Sequence, residues 1–179
     1  RLPFGNRRQP VFFSDDDRTL YLELVRNGCA AAGVRCLAWC LMDSHVHLIL
    51  VPETADGLRA ALGEAHRRYT RHVNFREGWR GHLFQARFAS YPMDEAHLMA
   101  AVRYVELNPV RAGLARTALD WRWSSAQAHA YGEDPWRLER PAGHTQARVV
   151  LRQHRDVRRL VADRRVDRGV ERPNGPLLA

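Results

Sequence analysis

Residues 44–51 read Ser-His-Val-His-Leu-Ile-Leu-Val, a run of β-branched and apolar residues that predicts a strand. Because side chains alternate between the two faces of a strand, His45 and His47 share one face, and the apolar Val46, Leu48 and Leu50 share the other. Two imidazoles about 7 Å apart along one face can converge on a single divalent cation. The stretch therefore predicts a strand with a candidate metal site, and ordinary hydrogen-bonded histidines are the alternative.

The segments around this strand alternate between helical and extended patterns. Helices are predicted at 14–32, 57–75 and 94–108, and further strands at 34–41 and 82–91, with a turn at 42–43. The order helix–strand–strand–helix–strand–helix predicts an α+β fold with an antiparallel sheet and packed helices, most like a ferredoxin-like split βαβ arrangement.

The helix predicted at 94–108 carries a second group of candidate functional residues. Tyr104 and Asn108 are four residues apart, so they share a helix face on the flank of the apolar stripe. Pro109 disfavours the helical conformation at the residue before it, which predicts that the helix ends near Asn108. From that flank, a hydroxyl and a carboxamide can both reach a site at the edge of a sheet.

Together these segments resemble a known family. The His-hydrophobic-His strand, followed by Arg-Tyr-Val-Glu-Leu-Asn-Pro-Val-Arg-Ala-Gly-Leu at 103–114, resembles the Y1 (HUH) tyrosine transposases of the IS200-like group, most closely the bacterial REP-associated branch. Gly-Asn-Arg-Arg-Gln at 5–9, Val-Phe-Phe at 11–13, Leu-Phe-Gln-Ala-Arg-Phe at 83–88 and Trp-Arg-Trp-Ser-Ser at 121–125 agree with it. The resemblance covers residues 5–125.

The resemblance implies a metal-dependent transposase that cleaves and rejoins single-stranded DNA, such as REP-like hairpins. Tyr104 would be the nucleophile and form a 5′-phosphotyrosine, with a free 3′-hydroxyl as the other product. His45, His47 and the Asn108 carboxamide oxygen would hold Mg²⁺ or Mn²⁺, of which Mn²⁺ accepts imidazole more readily. Because these histidines lie at a sheet edge, we expect them to contribute little to packing.

One feature departs from the family pattern. A strand normally precedes the Gly-Asn-Arg-Arg segment, and here only Arg-Leu-Pro-Phe stands before Gly5. Pro3 is a poor residue for a strand interior. We therefore expect the first strand of the ferredoxin-like sheet to be missing or displaced, with its place filled by another element or by residues that precede this chain.

The charge is concentrated at the C-terminal end. All 28 basic residues are arginine, and residues 137–179 hold 11 of them against five acidic residues, which is +6 of the total +8. We predict a Y1 transposase domain at 1–130 and a basic, helical, DNA-binding extension at 131–179. The candidate DNA-contacting arginines are Arg7, Arg8, Arg87, Arg111, Arg152, Arg155, Arg158 and Arg159, and the candidate aromatic contacts are Trp79, Phe84, Trp121 and Trp123.

The three cysteines and the absence of a long apolar run favour a cytoplasmic protein with reduced thiols and no membrane span. We expect a monomer or a homodimer. Cys36 and Cys40 permit another metal site, a structural zinc bound by these thiols with His45 and His47. Two other functions therefore stay open: a non-catalytic nucleic-acid-binding module, and a zinc-stabilised DNA-binding regulator.

Overall fold

The computed structural model describes residues 9–84, 88 and 90–132. Their elements follow the order α1 (Asp15–Ala31), β1 (Val34–Leu41), β2 (Val46–Pro52), α2 (Gly57–Glu77), α3 (Glu95–Arg111), a 3₁₀ turn (Ala118–Asp120) and α4 (Ala126–Tyr131). Helices α1 and α2 pack on one face of the β1–β2 sheet, and α3 packs on the other. This confirms the predicted α+β class with an antiparallel sheet and packed helices.

Helix α1 begins where its sequence predicts. The hydroxyl of Ser14 accepts a hydrogen bond from the Asp17 backbone N–H at 3.2 Å and caps the helix. Three aspartates in the first turn favour the positive end of the helix dipole. Gly33, with a φ of +61°, then turns the chain into β1.

Strands β1 and β2 form an antiparallel hairpin with one irregularity. The register pairs Val34 with Pro52 and Leu41 with Val46, and it shifts between Cys36 and Ala38. This bulge breaks the alternation of side chains, so Leu37 and Ala38 both pack on the α3 side of the sheet. In β2 the alternation holds, and the predicted division of its faces is confirmed.

Helix α2 packs closely against α1. A side chain at Gly28 of α1 would place its Cβ 2.6 Å from the backbone oxygen of Ala61, so only glycine permits this approach. The Tyr69 hydroxyl donates to the Val11 carbonyl oxygen at 2.6 Å and ties the segment before α1 to α2. Buried Asp17 accepts from both terminal nitrogens of Arg76, at 2.5 and 3.0 Å, which joins the start of α1 to the end of α2.

Helix α3 continues for one turn beyond its predicted end. Pro109 lies inside the helix, and the Ala112 N–H still donates to the Asn108 carbonyl at 2.9 Å. The Asn108 side-chain Nδ2 donates to the Tyr104 carbonyl oxygen at 2.8 Å, which adds a bond in the turn that proline disturbs. The prediction that the helix ends near Asn108 is therefore wrong. Tyr104 and Asn108 nevertheless share a helix face, as expected.

Residues 123–125 form backbone hydrogen bonds with the edge of β1 that does not pair with β2. The sequence pattern did not predict an extended segment there. The Leu41 N–H donates to the Trp123 carbonyl at 2.8 Å, and the Ser125 N–H donates to the Trp39 carbonyl at 2.9 Å. Ser124 thus forms an antiparallel bridge with Cys40. This short pairing segment comes from the chain after α3.

Three predicted segments lie wholly or partly outside the described residues. Residues 1–8, where the first strand of the family is expected to be missing or displaced, lie outside, and so do residues 133–179 of the basic extension predicted at 131–179. Of the strand predicted at 82–91, residues 85–87 and 89 are outside, and the described remainder forms no regular strand. Within the described chain no helix has the length and apolar character to cross a membrane.

Candidate active site

The two histidines of residues 44–51 converge at the start of β2. Their Nε2 atoms are 3.0 Å apart, and their rings meet edge to face with centroids 4.8 Å apart. The Ser44 hydroxyl lies 3.1 Å from Nδ1 of His45, where its oxygen can accept a hydrogen bond from the Nδ1–H group. Such a bond selects the tautomer whose Nε2 carries a lone pair. The geometry therefore presents imidazole nitrogens to one point.

Both imidazoles are biased toward the neutral form. His47 is only 6 % exposed, and burial together with neighbouring His45 lowers its pKa from 6.5 to about 3. Burial also lowers the pKa of His45, against an opposing effect of the Asp43 carboxylate. A neutral imidazole is the form that binds a metal. The expectation that these residues pack little is wrong for His47, which is buried under α3.

Tyr104 reaches the same place from α3. Its ring meets the His47 ring edge to face at a centroid distance of 5.9 Å. Asn108 lies one turn further along the helix, and its Nδ2 is hydrogen-bonded to the Tyr104 carbonyl. That bond uses the amide nitrogen and leaves Oδ1 to accept or to ligate. The structure thus brings the predicted nucleophile beside the histidine pair.

Arg111 completes this side of α3. Its guanidinium carbon lies 4.9 Å from the centroid of the Tyr104 ring, and its side chain is exposed. The positive charge of Arg111 therefore stands next to the candidate nucleophile. The other predicted DNA-contacting arginines, which are Arg7, Arg8, Arg87, Arg152, Arg155, Arg158 and Arg159, lie outside the described residues.

The donor set fits a small divalent cation. Octahedral Mg²⁺ holds its ligands at about 2.1 Å, so two neighbouring ligands are about 3.0 Å apart, and this is the separation of the two Nε2 atoms. Within the described residues no cluster of three or more His, Cys, Asp or Glu side chains gathers as a metal site. Asn108, the third ligand predicted from the sequence, lies one helical turn from Tyr104, to whose carbonyl oxygen its Nδ2 donates.

The cysteine-based zinc site is not formed by the described residues. Cys36 belongs to the core between the sheet and helices α1 and α2, whereas Cys40 packs on the α3 side. Burial, followed by the Glu106 carboxylate, raises the pKa of the Cys40 thiol well above its usual range. A zinc ion needs its ligands to converge on one point, and these two thiols lie on opposite sides of the sheet. The alternative of a zinc-stabilised regulator is therefore wrong for this pair of cysteines.

A buried polar network behind α3 was missed from the sequence. Glu106 is fully buried, and its Oε1 accepts hydrogen bonds from the Ser125 hydroxyl at 2.8 Å and from Nδ1 of His129. The Ser125 hydroxyl also accepts from the Trp39 N–H at 3.1 Å. The sequence holds one signal of this network, which is the position of Glu106 within the apolar stripe formed by Val102 and Val105. A charged residue at such a position needs buried partners.

Three of the four aromatic residues predicted as candidate DNA contacts are core residues. Phe84 and Trp123 are buried. Trp121 is half-buried, and its Nε1 donates to the Leu41 carbonyl at 3.1 Å. Only Trp79 presents a substantial part of its side chain to solvent.

The chain is similar to a known family of sequences and to a solved structure. The sequence matches the family described as "Transposase IS200 like" over residues 4–108, which is more than half of the chain. A solved structure described as "Structure of the REP associates tyrosine transposase bound to a REP hairpin" has the same fold, with a TM-score of 0.60 and 19% sequence identity. The match covers 82% of this chain and 86% of that one. No curated protein matches the sequence. The residues matched identify the chain as a member of the IS200-like transposase family.

Proposed function

We propose that this protein is a metal-dependent transposase that cleaves and rejoins single-stranded DNA through a 5′-phosphotyrosine on Tyr104. The observation that carries the proposal is the contact between the His47 and Tyr104 rings, at 5.9 Å, beside the converging nitrogens of His45 and His47. Membership in the IS200-like family supports the same chemistry.

In the proposed step, the Tyr104 hydroxyl oxygen attacks the scissile phosphorus. A bond forms between that oxygen and phosphorus while the bond from phosphorus to the 3′-oxygen breaks. The tyrosine hydroxyl proton leaves through a neighbouring base or water, and the departing 3′-oxygen takes up a proton. The phosphodiester is replaced by a phosphotyrosine ester, so the reverse attack by a 3′-hydroxyl can rejoin DNA without an external energy source.

His45, His47 and Asn108 would hold the cation, Mg²⁺ or Mn²⁺. When bound, the ion would polarise the scissile phosphate and stabilise charge in the transition state. The chain's own part is to keep both imidazoles neutral by burial and to align His45 through Ser44. Arg111, beside the Tyr104 ring, would bind the same phosphate and hold it for attack.

The proposed partner is hairpin or single-stranded DNA. The solved structure with the same fold is described as bound to a REP hairpin, and the arginine-rich residues 131–179 offer a second polyanion-binding segment. We expect a monomer or a homodimer. A non-catalytic nucleic-acid-binding module has the same partner, and it differs in not needing Tyr104.

A covalent adduct separates these two functions. A single-stranded hairpin oligonucleotide labelled at its 3′ end is incubated with the protein and Mn²⁺, then separated on a denaturing gel. We expect the label to move with the protein, because the tyrosine keeps the 5′ phosphate of the downstream fragment. A 5′ label should instead appear in a free fragment that ends in a 3′-hydroxyl.

The variant Tyr104→Phe should lose the adduct and keep its affinity for the hairpin. Tyr131→Phe is the matched control, since Tyr131 is exposed on α4 and should leave adduct formation unchanged. An adduct that persists in Tyr104→Phe would refute the assignment. Hairpin binding without any adduct in the unmodified protein would favour the non-catalytic module.

A further inference from the structure

The C-terminal half of α2 and the loop after it form an open groove of about 640 Å³, which we call the α2 groove. Its lining combines cationic and aromatic side chains, namely Arg67, Arg71, Phe75, Trp79 and Arg80. Helix α2 packs on the sheet face opposite to α3. The groove is therefore separate from the site around Tyr104.

The groove leaves large aromatic surface in water. Phe75 is 89% exposed, more than any other large hydrophobic residue in the described chain, and Trp79 is 46% exposed. Burying a phenylalanine side chain stabilises a protein by about 1.5–3 kcal/mol. Because the Phe75 side chain is almost fully exposed, it gains little of this free energy on folding. Trp79 is held edge to face against Phe13, with ring centroids 5.7 Å apart. An exposed ring beside a fixed indole is a surface on which a flat apolar group can stack.

The charges around these rings favour a polyanion. Residues 64–81 contain five arginines and two glutamates, a net charge of +3. Each glutamate is paired, Glu64 with Arg67 and Glu77 with Arg76. Arg71 and Arg80 form no ion pair with any described residue, so both positive charges are available to a ligand.

The loop that carries Trp79 and Arg80 is held in place. The chain leaves α2 through Gly78 at a φ of +66°, and the Trp79 N–H donates to the Asn74 carbonyl at 2.8 Å. The Asn74 side-chain Nδ2 donates to the Gly81 carbonyl oxygen, also at 2.8 Å. Because the loop is ordered before any ligand arrives, binding would not have to supply that ordering entropy.

We propose that the α2 groove binds a single-stranded stretch of the DNA, with an unpaired base stacked on Phe75 and phosphates on Arg71 and Arg80. Single-strand binding sites combine aromatic platforms with a cationic track in this way. Paired bases would not expose their faces to Phe75, and a second copy of this chain would bring like charge to the groove. The inference rests on the proposed function for its choice of DNA, and it assigns a contact away from the cleavage site.

The test measures how tightly the full chain binds an unstructured oligothymidylate. Binding is measured by fluorescence anisotropy at several salt concentrations, with EDTA present to remove divalent metal ions. Phe75→Ala should raise the Kd about fivefold or more, whereas Phe75→Tyr should retain the affinity. Arg71→Gln and Arg80→Gln should each reduce the salt slope by about 0.7. Arg59→Gln is the control because Arg59 is exposed at the other end of the same helix. Ultraviolet crosslinking should label the peptide that contains Phe75 and Trp79.

Equal affinities and equal salt slopes for all these variants would overturn the inference. So would a dimer that Phe75→Ala converts to a monomer, because the groove would then bind a second copy. The result of this binding experiment does not depend on the result of the adduct experiment with Tyr104→Phe. Adduct formation with unchanged oligothymidylate affinity would overturn the groove alone, whereas groove-dependent binding without an adduct would overturn the nuclease alone.

Discussion

At the scale of single residues, the two candidate metal ligands have different structural roles. His47 is buried beneath Tyr104, whereas His45 is half-buried and has Ser44 at its Nδ1. Substitution of His47 must therefore disturb packing as well as metal binding, and substitution of His45 should affect mainly the metal. The two effects can be separated because stability and metal binding are measured independently.

We predict that His45→Ala and His47→Ala both abolish Mn²⁺ binding and adduct formation. His47→Ala should also lower the free energy of unfolding by about 2 kcal/mol, since it leaves a cavity, and His45→Ala should cost less than about 1 kcal/mol. Titration calorimetry measures the affinity for Mn²⁺, and urea unfolding measures the free energy of unfolding. His97→Ala, at an exposed histidine of α3, is the control. Unchanged Mn²⁺ affinity in either variant would contradict the ligand assignment.

At the scale of elements, the position of α3 determines the geometry of the site. Tyr104 of α3 contacts His47, and Glu106 of the same helix points into the buried network. Ser125 in that network is also hydrogen-bonded to the backbone of β1 at Trp39. The network therefore links α3, which carries the proposed nucleophile, to β1, the strand next to the histidine strand.

We predict that Glu106→Ala lowers the free energy of unfolding by about 3 kcal/mol, because it removes a hydrogen-bond partner of both Ser125 and the buried side chain of His129. Glu106→Gln should retain more of that stability, since its amide oxygen can still accept from Ser125. Urea unfolding of both variants measures the effect. Glu95→Ala, at the first turn of the same helix, is the exposed control. Equal stability of Glu106→Ala and Glu95→Ala would contradict a structural role for the network.

At the scale of the whole molecule, the pair of Asp17 and Arg76 connects the two helices that cover one face of the sheet. Burial raises the pKa of Asp17, but the hydrogen bonds from Arg76 and from the Phe13 N–H outweigh it, and the net effect lowers the pKa. A carboxyl group whose pKa is lower in the folded state stabilises the fold above its unfolded pKa, about 3.9. That contribution is lost as pH falls through the folded value.

We therefore predict that Asp17→Asn is less stable than the unmodified protein at neutral pH and that the difference shrinks as pH falls below about 4. Hydrogen bonds to charged groups contribute about 1.5–3 kcal/mol, which sets the expected difference at pH 7. Thermal unfolding across this pH range measures it. Asp16→Asn, at an exposed position in the same turn, is the control. A difference that does not change with pH would show that the carboxylate charge is unimportant.

We also predict that removal of residues 143–179 weakens hairpin binding and reduces its salt dependence, since that segment is rich in arginine. The rest of the protein should remain folded, because the described core residues lie between Val11 and Ala128. The affinity of the truncated and full chains for the hairpin is measured at two salt concentrations and compared. Equal affinity and equal slope would mean that the extension does not contact DNA.

The sequence by itself determined the features that depend on local periodicity. The twofold alternation of a strand places His45 and His47 on one face, and the helical repeat places Tyr104 and Asn108 together. Capping chemistry located the start of α1 at Ser14. These features follow from neighbouring residues, so no knowledge of the fold is needed to predict them.

The tertiary structure alone decided the features that join distant segments. It brought Tyr104 to His47, gave Glu106 its partners and paired Ser125 with Trp39 across 86 residues of sequence. It also exposed Phe75 on α2 while burying Trp123. Such contacts form between surfaces that only packing brings together, and neither a helical nor a strand repeat encodes which residues will meet there.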